Sequence, residues 1–542
     1  MPGRSSPAAL FVVVLALQIS APSPKFTDHE LTALKACEGI VALFQQSAQS
    51  IWPGFDLSTR PLLVYVPDRW ALLLNPPDNE DFGPLPREWP ALRLRAAYRA
   101  GTYRTLAGQL AFDFDVGGTK LAALGLIEGQ YADAASRTAA ILGFVVHEAF
   151  HQYQSEAFGE VPWEREERYP ILHVSNSALA ALEMRILADG VAAALAGRRD
   201  QAQESAKMFV AVRAERWRSA PPFVARYEQG QEVREGTAAY VEKRSVDLAR
   251  GMKDDSGLGG LTTRLSQDLG PWSAAELFRQ DFAARTTDGV VAPGDMIRNR
   301  IYPVGSALGF LADLWGPEWK TELAAHVGTF SFGDYLQRRL ALPADRLAAL
   351  AEAARTRYDE AAIRKRAERL IAGYRSGFER DKADFEAQSG VRIEVGLRYR
   401  SISRSRSSQG RTWVVDDGSK TLQTRVRIYA LKMDGFSLQV SETAIYEEND
   451  WDRRAKRVSF FVPAPPMLSV DGATLSLSDS AGPVSFREFA LATPTASMTV
   501  KMPGTLTTER GRIVVDLHSP ENAAIPSAEQ PPDPDAWRAW PG

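Results

Sequence analysis

The stretch that decides how this chain is interpreted is ILGFVVHEAFH, residues 141–151, in which an apolar run leads into an HExxH segment. On an α-helix, side chains four residues apart lie on one face, so the imidazoles of His147 and His151 can reach a single metal ion. Glu148 lies one residue further round the helix, beside the position that such an ion leaves open. The chain has six His in 542 residues, and an accidental HExxH is expected in on the order of one chain in a few hundred of this composition. The segment therefore predicts a metal-binding helix.

The apolar run before the motif strengthens this prediction. Residues 141–146 are apolar almost all round the helix, which is typical of a buried helix and not of a solvated one. Unpaired buried charge is costly, so Glu148 and two histidines in a buried helix need a partner. Zinc is the simplest partner, and the alternative is two surface histidines on an ordinary helix.

Length and composition set broad limits on the protein. A chain of 542 residues is too long for one hydrophobic core and predicts two or three domains. A hydrophobic content of 45% and a charged content of 24% are those of an ordinary soluble globular protein. The formal net charge of -3 gives no reason to expect nucleic acid or an anionic membrane as a partner. The single cysteine, Cys37, excludes an intramolecular disulfide and is expected to be a buried packing residue.

The N-terminus has the pattern of a secretory signal peptide. Residues 1–6 carry one Arg and no acid, residues 8–17 are continuously apolar, and small residues and prolines follow. We expect a signal peptide at 1–21, with removal near residues 20–23, and the alternative is a retained N-terminal helix. No later segment reaches a transmembrane length, so the mature chain is expected to lack a transmembrane segment. Export without disulfides fits a bacterial periplasm or the extracellular medium.

The rest of the chain predicts an α+β protein with a mostly helical domain followed by a β-sandwich-like domain. Helical spacing extends over 27–51, strand patterns occur at 62–66 and 110–116, and residues 175–350 are almost wholly helical. Residues 344–388 predict one or two long solvated helices. Composition then shifts to Val, Thr and Ser, with turns at residues 417–418, 434–435 and 471–472. The predicted boundaries are 22–388 for the helical domain, 389–518 for the sandwich and 519–542 for a Pro-rich tail.

A catalytic zinc usually takes three protein ligands, so a third ligand is expected downstream of His151. The metzincin pattern HExxHxxGxxH is excluded, since Gln154 stands where it requires Gly and Ala157 stands where it requires His. The segment EVREGTAAYV, residues 232–241, resembles the third-ligand helix of the gluzincin (thermolysin-like) metallopeptidases of bacteria. The resemblance implies that Glu235 completes the zinc sphere and that small residues allow close approach to the HExxH helix. Glu183 and Glu232 are alternative ligands.

The resemblance extends over about residues 137–320 and includes RNRIYPVG, residues 298–305, which is similar to the helix that follows in gluzincin-like proteins. There the Tyr and Gly often face the cleft. One departure is the separation of 83 residues between His151 and Glu235 (234 minus 151). An inserted helical hairpin is expected there, over 177–196 and 200–218. The strand at 110–116, just before the motif helix, is suggested as the edge strand that receives the substrate backbone.

These observations predict a zinc hydrolase, most simply a metallopeptidase that cleaves a peptide or protein substrate. Glu148 is expected to be the general base, and Tyr302, then Tyr240, then His173 are candidates for the donor that stabilises the oxyanion. The alternative is an exported envelope-binding or scaffold protein with a structural or inactive zinc domain. A structural zinc helix does not need Glu148, so this residue favours chemistry. A zinc hydrolase that acts on another carbonyl or phosphoryl substrate is a third hypothesis.

Overall fold

The structure is a computed structural model that describes most of the chain. The described residues are 26–77, 81–87, 89, 92–101, 111–116, 118–126, 132–159, 166–252, 260–287, 289–399, 402–463, 466–476, 483–509 and 511–517. The predicted signal peptide at 1–21 and the predicted tail at 519–542 lie outside these residues.

The helices are concentrated before residue 390, as predicted. They are α1 (Asp28–Ile51), α2 (Ala134–Ala157), α3 (Val174–Leu195), α4 (Arg199–Ser219), α5 (Pro222–Gln231), α6 (Thr237–Gly251), α7 (Leu261–Asp268), α8 (Ala274–Ala284), α9 (Ile301–Ala312), α10 (Glu318–Ala325), α11 (Phe332–Arg339), α12 (Leu347–Tyr358) and α13 (Glu360–Glu386). A π-helical turn over Glu232–Gly236, called the π turn below, connects α5 to α6.

The strands form two groups, one before α2 and one after α13, with a short hairpin between them. They are β1 (Leu62–Val66), β2 (Trp70–Leu74), β3 (Ala96–Ala100), β4 (Ala111–Val116), β5 (Thr119–Gly125), β6 (Thr286–Thr287), β7 (Val290–Val291), β8 (Val391–Arg398), β9 (Ser403–Ser408), β10 (Thr412–Val415), β11 (Lys420–Gln423), β12 (Val426–Met433), β13 (Phe436–Val440), β14 (Ile445–Asp450), β15 (Ala455–Val462), β16 (Met467–Val470), β17 (Ala473–Leu475), β18 (Val484–Phe486), β19 (Phe489–Ala492), β20 (Ala496–Val500), β21 (Gly504–Glu509) and β22 (Arg512–Leu517). The predicted α+β class, with a helical region followed by a strand-rich region, is confirmed.

Contacts between residues divide the chain into two compact units, of which the first comprises the described residues up to Gln152 together with Ser245–Trp272. Its five-stranded sheet has the order β3-β2-β1-β5-β4. Strand β1 pairs parallel to β5 and antiparallel to β2, and both β1 and β2 are almost completely buried. Burial on both faces explains why their sequences, LLVYV and WALLL, are continuously apolar. The strand predicted at 110–116 corresponds to β4 over Ala111–Val116, which is the last in the order of the described strands of this sheet.

Helix α1 begins where the sequence supplies a capping box. The backbone N–H of Glu30 donates to Thr27 Oγ1 at 3.3 Å, and the N–H of Thr27 donates to the Glu30 carboxylate at 3.1 Å. Gly39 allows α7 to approach α1, because a Cβ there would lie 3.0 Å from Leu265 Cβ. At its C-terminal end, α1 leads into Trp52 and Phe55, which pack edge-on against Phe150 of α2 with ring centroids 5.0 and 5.1 Å apart. The helix that carries HExxH is therefore fixed by aromatic packing within this unit.

The second unit comprises Tyr153–Arg244 and the described residues from Ser273 onward. Helices α3 and α4 pack along each other and fill the interval after α2, so the predicted hairpin at 177–196 and 200–218 is confirmed. Helices α12 and α13 correspond to the long helices predicted over 344–388. The short hairpin β6–β7 was not predicted, because two-residue strands leave no periodic pattern.

The strand-rich region is a sandwich of an eight-stranded and a seven-stranded sheet around one apolar core. The sheets have the orders β10-β11-β14-β15-β8-β22-β21-β18 and β17-β16-β19-β20-β13-β12-β9. Side chains of both sheets, such as Val395 and Leu438, are buried in the same cluster. The turn predicted at 471–472 joins β16 to β17 with φ values of 48° and 83°, which is the two-residue geometry that Asp-Gly favours.

Helix α13 packs on the eight-stranded sheet. The rings of Phe385 and Phe461 have centroids 5.3 Å apart, and Trp413 Nε1 donates to Asp381 at 2.9 Å. Trp413 also lies where a Cβ at residue 377 would stand, so glycine is needed at that position of the helix.

Within the part of the chain that the structure describes, we find no helix with both the length and the apolar character that crossing a membrane requires.

Candidate metal centre

The two histidines of the motif lie on the buried face of α2. Ile141, Leu142 and Val145 are buried in the preceding turns, as the sequence predicted, while Phe144 is only half-buried. His147 and His151 are 7% and 5% exposed, and their rings lie edge-on with centroids 4.8 Å apart. The four-residue spacing on a buried helix therefore brings the two imidazoles together.

Glu235 joins the histidines to form a group that could hold a metal ion. One ligand atom each from His147, His151 and Glu235 lies within 4.8 Å of the others, and all three residues are buried. Among the described residues, no other group of His, Cys, Asp and Glu side chains has this geometry. Nitrogen and oxygen ligands of a tetrahedral zinc lie about 3.3 Å apart, so side-chain rotation has to close the group by at most about 1.5 Å. The residues present fit a divalent ion with one carboxylate and two imidazole ligands.

The carboxylate of this group is carried by the π turn. Helix α5 does not continue as an α-helix into α6, because the amide N–H of Thr237 donates to the carbonyl oxygens of Glu232 and Arg234. The i→i+5 bond to Glu232 inserts a residue relative to an α-helix, and such insertions often occur at functional sites. The third residue implied by the resemblance thus lies in a locally irregular segment that the sequence did not predict.

Helix α9 packs directly on the π turn. A Cβ at Gly236 would lie 2.6 Å from Gly305 Cα, and a Cβ at Gly305 would lie 2.5 Å from Gly236 Cα. Two glycines are therefore required at this crossing. The resemblance implied that small residues of this segment allow close approach to the HExxH helix; at Gly236 the nearest atoms belong to Gly305 of α9.

The alternative ligands Glu183 and Glu232 are already bound by arginines. Glu183 accepts from Arg213 Nε at 2.9 Å and from Arg216 Nε at 2.6 Å, and Glu232 accepts from Arg213 Nη1 at 2.7 Å. All four side chains are at most 1% exposed. Neither carboxylate belongs to the group formed by the two histidines, so the structure favours Glu235 over both alternatives.

These residues belong to a larger buried set, called the arginine network below: Glu183, Arg213, Arg216, Glu228, Glu232 and Arg300. Its formal charges balance, with three guanidinium groups and three carboxylates. Glu228 accepts from Arg216 Nη2 at 2.5 Å and from Tyr169 Oη at 2.5 Å, and it also pairs with Arg300. This network was not predicted from the sequence, because its members come from α3, α4, α5, the π turn and the residue before α9.

Two carboxylates of the network, Glu228 and Glu232, have pKa values shifted in opposite directions. Burial opposes ionisation of Glu228, but Arg216 and Arg300 outweigh burial and hold the pKa of Glu228 well below its ordinary value. Burial of Glu232 outweighs its single arginine, Arg213, so the pKa of Glu232 lies above its ordinary value. Burial also raises the pKa of the Tyr169 phenol to about 12.

Two cations lie beside the carboxylate of Glu235. Arg234 Nε is 4.0 Å from Glu235 Oε1. Burial opposes the charge on Arg298, but the carboxylates of Glu166 and Glu235 outweigh it and raise the pKa of Arg298. Arg298 Nε also donates to Glu166 at 2.7 Å. Glu235 therefore interacts with two arginines besides belonging to the group with the two imidazoles.

Of the residues predicted to act on substrate, Glu148 lies next to His147 on α2 and is half-buried. Tyr302 is half-buried in the first turn of α9, one turn before Gly305 at the crossing with the π turn. The other two candidate donors lie in different surroundings. Tyr240 is completely buried and donates to Asp313 at 2.8 Å, and His173 is half-exposed beside Asp417 at the start of α3.

Comparisons of this chain with protein-family models, with curated proteins and with solved structures found no match. The resemblance to gluzincins therefore stays a prediction that rests on the motifs and on the geometry of the site.

Proposed function

We propose that this protein is a zinc-dependent hydrolase, most simply a metallopeptidase, in which His147, His151 and Glu235 hold the zinc ion. The observation that supports this most strongly is the convergence of their ligand atoms within 4.8 Å in a buried position. Two imidazoles and one carboxylate are a known ligand set of catalytic zinc, which keeps its fourth position for water or substrate. The identity of the metal is inferred from this ligand chemistry, since borderline nitrogen and oxygen ligands suit zinc.

In the proposed mechanism, the chain's own residues move the protons and hold the substrate. When bound, zinc acidifies a water molecule and polarises the carbonyl group that is attacked. Glu148 accepts a proton from the attacking water and later donates it to the leaving amine. Tyr302 donates a hydrogen bond to the carbonyl oxygen while negative charge develops on it.

The proposed substrate is a peptide or protein in extended conformation. Strand β4 is at the edge of its sheet as far as the described strands show, and an edge strand can pair with the backbone of an extended peptide. The signal-peptide pattern at the N-terminus supports action in the periplasm or outside the cell. The net charge of -3 gives no support to nucleic acid as a partner.

The test combines metal analysis with cleavage of an unbiased peptide mixture, read by mass spectrometry. We expect one zinc per chain, cleavage that a chelator stops, and recovery of cleavage when zinc is returned. The variant Glu148→Gln is expected to keep its zinc and to lose about 100-fold to 10,000-fold in rate. Glu156→Gln, an exposed residue on the same helix, is the matched control and is expected to cleave like the parent. Undiminished cleavage by Glu148→Gln, or cleavage that persists after zinc removal, would contradict the proposal.

A further inference from the structure

The π turn leaves a backbone carbonyl that the helix itself does not satisfy in the ordinary way. In an α-helix the N–H of Thr237 would bind the carbonyl of Val233, four residues earlier. Here that N–H binds Glu232 and Arg234 instead. The Val233 carbonyl accepts from the Thr237 hydroxyl at 2.5 Å and from Gln154 Nε2 at 3.2 Å. Side chains thus take the place of the missing backbone bond.

Gln154 is the central donor of this arrangement. Besides Val233, its Nε2 group lies 2.8 Å from the carbonyl oxygen of Arg234 and 2.8 Å from the hydroxyl of Thr237. Gln154 is 4% exposed and Thr237 is completely buried, so water cannot readily replace these bonds. The loss of a buried hydrogen bond is costly, so the bonds from this side chain stabilise the π turn.

The position of Gln154 connects the π turn to the metal-binding helix. Gln154 lies seven residues after His147 and three after His151 on α2, which places all three on one face. The carbonyls that it binds belong to Val233 and Arg234, directly before Glu235. One rigid helix therefore carries both imidazoles and the amide that holds the segment of the third ligand.

We propose that Gln154 is a positioning residue that maintains the π turn and thereby keeps Glu235 at the distance from His147 and His151 that metal binding requires. Without the Gln154 amide, the Val233 carbonyl keeps the Thr237 hydroxyl but loses its second side-chain donor, and the α-helical bond from the N–H of Thr237 is the simplest replacement. The segment then becomes α-helical, and the change from π-helical to α-helical hydrogen bonding shifts the register by one residue, which rotates the side chains on one side of the turn by about 100° relative to the other. Glu235 is moved away from the imidazoles by this rotation. The inference rests on the metal site of the proposed function.

The experiment measures zinc affinity by competition with a fluorescent chelator, and hydrogen exchange of the 233–237 amides in the zinc-free full chain. Gln154→Met keeps the length of the side chain but removes both donors, and it is expected to weaken zinc binding by about 10-fold to 100-fold. Faster exchange at the π turn is expected in the same variant without any metal. Gln154→Glu, which places carboxylate oxygens against the carbonyls, is expected to have an effect at least as large.

Thr237 supplies a graded pair of variants at the same site. Thr237→Ser keeps the hydroxyl and is expected to match the parent in both measurements. Thr237→Val removes it, but the bond from Gln154 to Arg234 is kept, so the loss of affinity is expected to be smaller than for Gln154→Met. If the Gln154 variants do not fold, the two Thr237 variants still test whether side-chain donors to the π turn control zinc affinity.

Gln423→Met is the matched control. Gln423 is a completely buried glutamine in the sandwich, and its side-chain amide has no hydrogen-bond partner among the described residues. The substitution Gln423→Met is expected to leave zinc affinity unchanged. Gln154→Met with the zinc affinity and exchange of the parent, or with lower stability alone, would overturn the positioning role. A parent chain that binds no zinc would refute the proposed function instead, and hydrogen exchange would still decide whether Gln154 maintains the π turn.

Discussion

Glu232 and Glu235 lie three residues apart on the same π turn, yet their carboxylates have different kinds of partner. Glu232 accepts from Arg213 and belongs to the arginine network, whereas Glu235 lies with two imidazoles in the candidate metal site. Both are buried, so burial alone does not distinguish a ligand from a structural ion pair. The difference lies in the partner, since a carboxylate oxygen that an arginine already occupies has fewer lone pairs for a metal.

The arginine network and the metal site also differ in what they need from outside the chain. The network brings its own counter-ions, and its three guanidinium groups balance its three carboxylates. Removing one partner from such a set leaves a buried charge uncompensated. We therefore expect changes in the network to act on folding and changes in the metal site to act on metal binding.

The largest expected effect comes from replacing a glutamate by alanine, which should lower zinc affinity in the metal site but stability in the arginine network. Glu235→Ala removes a proposed ligand and is expected to lower zinc affinity by more than about 100-fold. Loss of a residue that only hydrogen-bonds to a ligand lowers metal affinity by about 10-fold to 100-fold, and loss of the ligand itself should cost more. Glu183→Ala is expected to retain zinc binding in its folded fraction but to lower the free energy of unfolding by about 3–5 kcal/mol. Zinc titration and urea unfolding of both variants measure this. Unchanged zinc affinity in Glu235→Ala would move the third ligand to another residue.

Arg216→Met tests the network from the cationic side. Arg216 binds Glu183 and Glu228 and is completely buried, so its loss leaves two carboxylates without their main partner. We expect the free energy of unfolding to fall by about 3–5 kcal/mol, as for other buried pairs broken on one side. Urea unfolding followed by circular dichroism measures the change. The double variant with Glu228→Gln is expected to be less destabilised than the sum of the two single variants, and strict additivity would show that the pair does not interact.

A smaller effect is expected from the opposite pKa shifts within the network. The pKa of Glu228 lies below its ordinary 4.5, so its stabilising contribution is fully present above about pH 4.5 and is lost as the pH falls further. The pKa of Glu232 is raised, so its ionised form opposes folding at neutral pH, and this opposition is relieved as the pH falls through the raised pKa. At pH 7, Glu228→Gln is expected to cost about 3 kcal/mol and Glu232→Gln at most about 1 kcal/mol.

Urea unfolding between pH 7 and pH 4 measures both substitutions. The advantage of the parent over Glu228→Gln should shrink below pH 4.5, whereas the parent should gain on Glu232→Gln as the pH falls from 7. The same pH trend for both variants would contradict the assignment of opposite shifts.

Local patterns predicted the parts of the fold that local physics determines. Helix α1 and strand β1 were predicted with nearly the bounds that the structure gives, because the first has a helical stripe and the second a continuous apolar run. The spacing in HExxH likewise placed His147 and His151 on one face. A one-face argument also applies to Gln154, seven residues after His147, and could have identified it from the sequence.

The rest depends on contacts between distant residues. The parallel pairing of β1 with β5 joins Leu62 to Ala122, and nothing within either strand specifies that partner. The charges of α4 resemble those of a solvated helix, yet Arg213 and Arg216 are buried because Glu183 and Glu228 lie opposite them. The sequence EVREG does not predict the π turn, since its backbone is bound by the side chain of Gln154, about 80 residues earlier.

The most direct test of the central claim is X-ray absorption spectroscopy at the zinc edge of the purified full chain, compared with Glu235→Ala. We expect a first shell of nitrogen and oxygen at about 2.0–2.2 Å with scattering from two imidazole rings, and the loss of this ordered site in the variant. A parent chain that takes up no zinc, or a zinc spectrum without imidazole scattering, would contradict the claim that His147, His151 and Glu235 hold the metal.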